Sequence, residues 1–331
     1  MDLTEENRIL VKQGLEMLKR TSNLGLRALI QCIGLEGKKI QAYHIGFILA
    51  PCLNASGKLD TAKRALALLR AKTEREADML AGDLKALNES RRDMTDRVVD
   101  EAMAKVEQTD IRGDKVLVIY LPDCHESLAG LVAGRVRENY YRPVFVLTDS
   151  EDGVKGSGRS IESYSMYEEL TGCGDLLTKF GGHPMAAGLS LDKENVEKFK
   201  RRLNDQCTLS EEELTEKVVI DMELPFAAIT EHFIEELEYM EPFGKGNTKP
   251  VFAARGVVMQ HVKIIGKNKN VAKATAIDAA GNRMEAICFH DAQEFAKQCE
   301  RNNGKMSITF YPGINEFRGE RQIQIVITHY R

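Results

Sequence analysis

The stretch GGHPMAAG, residues 181 to 188, carries the strongest signal in this sequence. Its paired glycines, Gly181 and Gly182, allow the backbone to approach a ligand closely because neither has a side chain. His183 can donate a hydrogen bond to a phosphate oxygen or protonate a leaving group. The following AAGLSL (186–191) predicts a strand packed behind the histidine. A lone Gly-Gly-His is more often a glycine turn with a satisfied histidine, so the motif needs support from elsewhere in the chain.

A second motif lies upstream in KGSGRS, residues 155 to 160. Ser157 and Arg159 are two residues apart, so in an extended segment they lie on one face. A hydroxyl and a guanidinium placed this way can bind one anion together. By itself the motif is also typical of a flexible surface loop.

The segment PCLNASGKL, residues 51 to 59, offers a third set of polar groups. Asn54 provides an amide and Lys58 a positive charge, which together suit a phosphate. The alternative is a capped entry to a helix over residues 60–70.

A fourth set lies in DCHESLAGLVAGR, residues 123 to 135. His125 precedes a predicted helix, at an N-terminus where free backbone N–H groups favour anions. The alternative is an ordinary helix cap made by Glu126 or Ser127.

The N-terminal third of the chain is predicted to be helical, with one irregular segment. Apolar residues recur at helical spacing over 5–35, whereas 40–59 is predicted to be loop-rich because Pro51 and Gly57 interrupt it. Residues 72–107 contain no proline and place apolar side chains every three or four positions, which predicts one long helix. A coiled coil is possible, but globular sequence on both sides favours a helix that bridges two domains.

Downstream, the pattern changes from alternating strands and helices to mainly strands. Residues 109–209 predict a compact α/β domain, including an interrupted helix at 164–180. Residues 210–331 predict five or six strands with a helix before the last pair, as in an oligonucleotide-binding (OB) barrel. The predicted fold class is therefore α/β plus β, with four regions: 1–70, 71–108, 109–209 and 210–331.

The predicted barrel has features of a single-strand binding surface. Four lysines cluster around one strand–loop–strand segment: Lys263, Lys267, Lys269 and Lys273. Aromatic residues that could stack on bases are Phe252, Phe289, Phe310, Tyr311 and Phe317. OB barrels bind single strands through such combinations, although any single phenylalanine is more often a core residue.

Composition narrows the class of protein. The 331 residues carry a net charge of −4, so any nucleic-acid site must be a local cluster of positive charge. Seven scattered cysteines without a Cys-x-x-Cys pair predict reduced thiols in a cytoplasmic protein and no structural zinc site. No apolar run approaches the length of a membrane helix, about 20 residues.

Taken together and in order, these motifs resemble the RecJ family of the DHH phosphoesterase superfamily. The resemblance also covers ENRILVKQGL (6–15), IGFILAPCLNASGKL (45–59) and LEYMEPFGKGNTKPVF (237–252). It implies the end of a DHH domain, a long bridging helix, a DHH-associated α/β domain and an OB barrel. Gly-Gly-His is the hallmark of the DHH-associated domain.

The resemblance implies a single-stranded-DNA-specific 5′→3′ exonuclease that acts in recombination and repair. His183 would position the scissile phosphate. The implied substrate contacts are Asn54, Lys58, His125, Ser157, Arg159, Gly181, Gly182 and the four barrel lysines. Ser157, Arg159 and Lys58 would recognise a 5′-phosphate, although the family usually has arginine at position 58, which binds phosphate with a fixed fork.

The family's metal-binding motifs are the main departure. The sequence contains no Asp-His-His and no Asp-x-Asp, which would hold Mn²⁺ or Mg²⁺ in the complete enzyme. We therefore expect that this chain holds no metal itself, that the DHH segment precedes residue 1 and could act as its partner, and that the chain alone is inactive. The alternatives are a non-catalytic single-strand-binding protein and a DHH-family oligoribonuclease, a class that typically lacks the OB domain.

Overall fold

The computed structural model describes residues 2–59, 62–266, 269–289, 292–317 and 319–331, with the backbone alone at 56–59 and 317. It divides into two compact units. The barrel unit consists of Met1–Arg20, Ile40–Ile45 and Val218–Arg331, and the α/β unit consists of Thr21–Lys39 and Gly46–Lys217. The sequence-based domain limits at 70, 108 and 209 stay predictions.

The helices follow the predicted apolar periodicity in most places. They are α1 (Glu5–Lys19), α2 (Leu24–Cys32), α3 (Ala42–His44), α4 (Ala50–Leu59), α5 (Lys63–Leu69), α6 (Glu74–Gln108), α7 (Glu126–Tyr140), α8 (Met166–Thr171), α9 (Val196–Gln206), α10 (Glu231–Glu238) and α11 (Ala292–Arg301). The strands are β1 (Leu117–Tyr120), β2 (Val144–Ser150), β3 (Gly153–Arg159), β4 (Leu177–His183), β5 (Ala186–Leu191), β6 (Met222–Glu223), β7 (Phe252–Ile265), β8 (Val271–Ile277), β9 (Arg283–Cys288), β10 (Lys305–Phe317) and β11 (Glu320–Tyr330).

The prediction of a loop-rich segment over residues 40–59 is wrong. The chain is helical there, with a π-helical turn at Ile45–Leu49 between α3 and α4. Pro51 does not end this helical run, which is unbroken from Ala42 to Leu59; the proline directly follows the π-helical turn, an irregularity of the kind found where a helix departs from the regular hydrogen-bond pattern.

The long helix is confirmed as α6, which has 35 residues. Thr73 caps it, because its hydroxyl accepts a hydrogen bond of 3.2 Å from the backbone N–H of Glu76. The apolar side of α6 is buried at both ends of the helix. Ala77 and Leu84 pack among α2, α4 and α5, and Ala102 packs with β1 and α7. Within the α/β unit, α6 therefore connects the N-terminal helices to the sheet.

The sheet of the α/β unit has the strand order β1-β2-β3-β5-β4. Strands β1 and β2 are parallel, and the other neighbours are antiparallel. One face is covered by α8 and α9, with Phe145 and Phe199 in edge-to-face contact at 5.6 Å. On the other face α7 packs over β1 and β2 through residues such as Val132 and Val146.

The predicted helix over residues 164–180 is wrong in its second half. Helix α8 ends at Thr171, with Gly172 as its C-cap, and residues 177–183 form the edge strand β4. Pairing with β5 decides the conformation here, because the backbone N–H and C=O groups of β4 form hydrogen bonds with that strand. The apolar pattern of residues 177–180 alone does not reveal this pairing.

The barrel unit confirms the OB-type prediction. Strands β7, β8, β9, β11 and β10 form a ring that closes through pairing of β10 with β7, and α11 lies between β9 and β10 in sequence. Phe252 and Phe310 are 3% and 0% exposed and belong to the barrel core. These two phenylalanines are therefore not stacking platforms, which corrects the sequence-based hypothesis.

Candidate functional site

Strand register creates one polar face on the α/β sheet. Strands β3, β5 and β4 lie side by side, and residues that are directly paired point to the same side. Three rows result: Lys155–Ser190–Lys179, Ser157–Gly188–Gly181 and Arg159–Ala186–His183. We call these nine residues the open face. The residues of its middle row have small side chains or none, and this row lies between two rows that carry positive or polar groups.

The floor of this face is open because its glycines project nothing into it. A Cβ atom added at Gly181 would meet no atom within 4 Å, and one at Gly188 would meet the Gly156 carbonyl oxygen at 3.8 Å. A cleft of about 520 Å³ lies over two rows of this face, the Lys155 row and the Ser157 row, and is also lined by Glu126 and Ser127 at the start of α7. Arg159 and His183 lie outside the lining of this cleft. A small anionic group can therefore approach the backbone closely.

Arg159 and Ser157 lie together at the border between this face and α7. Arg159 is half-buried, and one of its guanidinium nitrogens donates a hydrogen bond of 2.7 Å to the Gly158 carbonyl. Burial, and then the positive charge of Arg137, lower the pKa of Arg159. Within the described ranges it forms no ion pair. An anion bound here would therefore interact with a half-buried positive charge that no described carboxylate compensates.

In the row Lys155–Ser190–Lys179, only one of the two lysines has a charge that no described residue compensates. Lys155 is paired with Glu126 at 2.7 Å, and this hydrogen bond raises the pKa of the lysine and lowers the pKa of the carboxyl. Lys179 is exposed and has no ion pair among the residues that the structure describes. The net positive charge of the open face therefore comes from Arg159 and Lys179.

The Gly-Gly-His motif is the end of strand β4. Gly182 has φ +155°, and a Cβ there would lie 2.4 Å from the Ala186 carbonyl oxygen. Glycine at 182 is thus a packing requirement, whereas Gly181 keeps the face open. His183 ends the strand with an exposed side chain.

The other predicted site residues of this unit behave differently. His125 caps α7: its Nδ1 accepts a hydrogen bond of 3.2 Å from the backbone N–H of Ser127. Asn54 is exposed on α4 and is not among the residues that line the cleft. The side chain of Lys58 lies outside the described residues, so its phosphate contact stays a prediction.

In the barrel, the predicted lysine cluster is only partly free. Lys263 and Lys273 are directly opposite on β7 and β8, but Lys273 is paired with Glu285 at 2.7 Å. The Glu285 side chain is only 11% exposed, so this pair is partly desolvated. Lys269 is exposed, and Lys267 lies outside the described residues.

Two of the remaining barrel aromatics have distinct surroundings. Phe289 is 54% exposed after β9, which suits stacking on a base. Tyr311 is half-buried against Phe243, with the Lys249 ammonium 4.7 Å from its ring centroid. The side chain of Phe317 lies outside the described residues.

Sequence reasoning missed Lys179 and Ser190 as members of the open face. Each lies two residues from a glycine of the middle row, so alternation along a strand was the available signal. The register that brings β3, β5 and β4 together was not readable from local sequence.

Neither a metal site nor a membrane helix is found in the part of the chain that the structure describes. Those residues contain no group of three or more His, Cys, Asp or Glu side chains arranged to hold a metal ion. No helix in the described ranges combines the length and the apolar character that crossing a bilayer requires.

Comparison with known proteins agrees with this architecture. Residues 113–209 match the DHHA1 domain, and residues 220–329 match the RecJ OB domain. The single-stranded-DNA-specific exonuclease RecJ of Bacillus subtilis (strain 168) is 34% identical over 98% of this chain and 41% of that protein. RecJ of Escherichia coli (strain K12) is 31% identical over 98% of this chain and 58% of that protein.

Solved structures give the same result. The structure of RecJ in complex with Mn²⁺ from Thermus thermophilus has a TM-score of 0.82 and 26% identity, covering 100% of this chain and 47% of that one. A manganese-bound RecJ is 35% identical over 61% of this chain and 50% of that one, with a TM-score of 0.52. The chain spans about half the length of these relatives. The chain thus matches the C-terminal part of RecJ, across a DHHA1 domain and a RecJ OB domain.

Proposed function

We propose that this chain is the substrate-binding part of a RecJ-type 5′→3′ exonuclease that degrades single-stranded DNA in recombination and repair. The open face would hold the 5′-terminal phosphate at Ser157 and Arg159. The observation that carries this proposal is the Arg159 guanidinium, half-buried beside Ser157 and without an ion pair in the described ranges. A phosphomonoester carries about −1.5 to −2 charge near neutral pH, more than an internal diester, so such a site favours strand ends.

His183 would bind a different phosphate, the one at the bond to be broken. It lies in the same row as Arg159 but two strands away. At the usual spacing of neighbouring strands this is about 9–10 Å, which leaves room for one nucleotide unit between the two groups. Its role here is to hold and orient the phosphate.

The barrel would bind the rest of the single strand. Exposed Lys263 and Lys269 can contact phosphates, and exposed Phe289 offers a surface for base stacking. A polymer-binding barrel also favours an exonuclease for long strands over a DHH-family oligoribonuclease.

Divalent metals would be needed for cleavage. RecJ structures from Thermus thermophilus contain Mg²⁺ or Mn²⁺, and the same ions would serve the complete enzyme here. The described residues do not fit such a site, and the sequence has no Asp-His-His motif. We therefore expect that this 331-residue chain alone does not digest 5′-phosphorylated single strands with Mn²⁺ or Mg²⁺. Robust 5′→3′ digestion by the purified chain would contradict this expectation.

Binding by the 331-residue chain tests the proposed phosphate site. Fluorescence anisotropy would compare oligodeoxythymidines that differ only in a 5′-phosphate or a 5′-hydroxyl. We expect tighter binding of the phosphorylated strand, and loss of that preference in Arg159→Ala. Charge-assisted hydrogen bonds contribute about 1.5–3 kcal/mol each, so the preference should fall by about tenfold or more.

Lys198→Ala is the matched control. It removes one exposed positive charge from α9, which covers the opposite face of the sheet. This variant should keep the preference. Equal losses on both oligonucleotides for Arg159→Ala would show that the arginine does not recognise the strand end.

A further inference from the structure

We propose that Gly130 of helix α7 is a positioning residue for the phosphate site. Its missing side chain provides the space in which the Arg159 guanidinium and the Ser157 hydroxyl come together. The inference rests on the proposed function, because it concerns how that function's phosphate-binding groups are held.

The distances at Gly130 are specific to these two side chains. A Cβ atom there would lie 2.7 Å from Arg159 Nη2, 3.0 Å from Ser157 Oγ and 3.3 Å from Arg159 Cζ. Contacts of 2.7 Å between carbon and nitrogen are too short to persist, so the guanidinium would have to move. The three nearest atoms all belong to groups that we assign to phosphate binding.

Helix formation does not explain this glycine. Gly130 lies inside α7, and glycine is among the poorest residues for a helix interior. Gly134, one turn later, faces the same arginine but less closely, since its Cβ would lie 4.0 Å from Arg159 Cγ. That distance is an ordinary van der Waals contact. Alanine at either position adds a methyl group to the same helix, but only alanine at 130 would displace the guanidinium. Comparing the two substitutions therefore separates the effect on the helix from the effect on Arg159.

The consequence of filling the space should appear in binding and not in folding. Nη2 is the far end of a flexible side chain, so Arg159 can rotate away without disturbing the backbone. It would then leave the position beside Ser157. The two groups would no longer converge on one phosphate.

The test uses Gly130→Ala and Gly134→Ala in the 331-residue chain, with the same 5′-phosphate and 5′-hydroxyl oligonucleotides. We expect Gly130→Ala to reduce the preference for 5′-phosphate about tenfold, as loss of one charge-assisted contact would. Gly134→Ala should retain the preference. Both variants should melt at or above the wild-type temperature, because alanine favours a helix.

A double variant shows whether Gly130 acts through Arg159. In an Arg159→Ala background, Gly130→Ala should cause no further loss of preference, since the displaced group is already gone. A wild-type preference in Gly130→Ala, an additive loss in the double variant, or an unfolded Gly130→Ala protein would each overturn the inference. If Arg159→Ala itself keeps the wild-type preference, the proposed phosphate site fails instead.

Discussion

Arg159 and His183 point to the same side of the α/β sheet because both are paired with Ala186 of the strand between them. Only the methyl group of Ala186 projects from the position that separates them. Two groups that we propose to bind phosphate thus lie on one face, about two strand spacings or 9–10 Å apart, which would allow them to hold a strand end and an adjacent phosphodiester at the same time.

This arrangement predicts different effects for the two side chains. His183→Ala should weaken binding of 5′-phosphate and 5′-hydroxyl oligonucleotides by the same factor, because an internal phosphate is present in both. Arg159→Ala should affect mainly the phosphorylated strand. Anisotropy titrations of the 331-residue chain measure, for each variant, the ratio of its affinity to that of the wild type on both oligonucleotides. A selective loss of the 5′-phosphorylated strand in His183→Ala would place the histidine at the strand end.

The paired glycines of β4 should respond oppositely to alanine. Gly181→Ala adds a methyl group to the open face without meeting any atom, so the free energy of unfolding should stay within about 0.5 kcal/mol while phosphate binding weakens. Gly182→Ala places Cβ 2.4 Å from the Ala186 carbonyl oxygen at an unfavourable φ, and should destabilise the chain by about 2 kcal/mol or more. Urea denaturation monitored by circular dichroism separates the two, and equal stabilities would contradict the register of β4 and β5.

The barrel lysines should differ in their contribution to single-strand binding. Lys263→Ala should reduce the magnitude of the slope of log affinity against log salt by about 1, as expected for the loss of one phosphate contact. Lys273 is held by Glu285, so Glu285→Gln should release its charge and increase both the affinity and the salt slope. The measurement is binding of an unphosphorylated oligonucleotide at several salt concentrations. A weaker-binding Glu285→Gln protein with wild-type stability would show that Lys273 does not face the nucleic acid.

The cysteines should be almost inert in the folded chain. Six are buried, Cys32 is partly exposed, and desolvation raises the pKa of Cys124, Cys173 and Cys299 to about 11. Because the thiolate is the reactive form, Ellman's reagent at about pH 8 should titrate about one thiol in the native state. All seven should react in denaturant. Rapid reaction of several thiols without denaturant would show that the cores of the two units are open.

Local pattern predicted the long helix, most strands and the OB barrel, because periods of about 3.6 and 2 residues report directly on which side of an element is buried. It failed at 40–59 and 177–180. At 40–59, the proline pattern predicts an interruption, although Pro51 follows a π-helical turn within a helical run that is unbroken from Ala42 to Leu59. At 177–180, an edge strand obtains its hydrogen bonds from a neighbour. Similarly, the barrel pattern could not separate Phe289, which is exposed, from Phe252 and Phe310 in the core.

The sequence by itself determined which residues could bind phosphate: Ser157 and Arg159 on one face of an extended segment, and His183 after two glycines. Only the tertiary structure decided that these residues share one surface, since β4 and β5 form a local hairpin but β3 pairs with β5 across about 30 residues of chain. Likewise, that Lys273 is neutralised by Glu285 and that Gly130 leaves space for Arg159 depends on distances across strands and between a helix and a sheet. The physical reason is that a side chain's identity sets its chemistry, whereas packing sets its neighbours, and binding requires both.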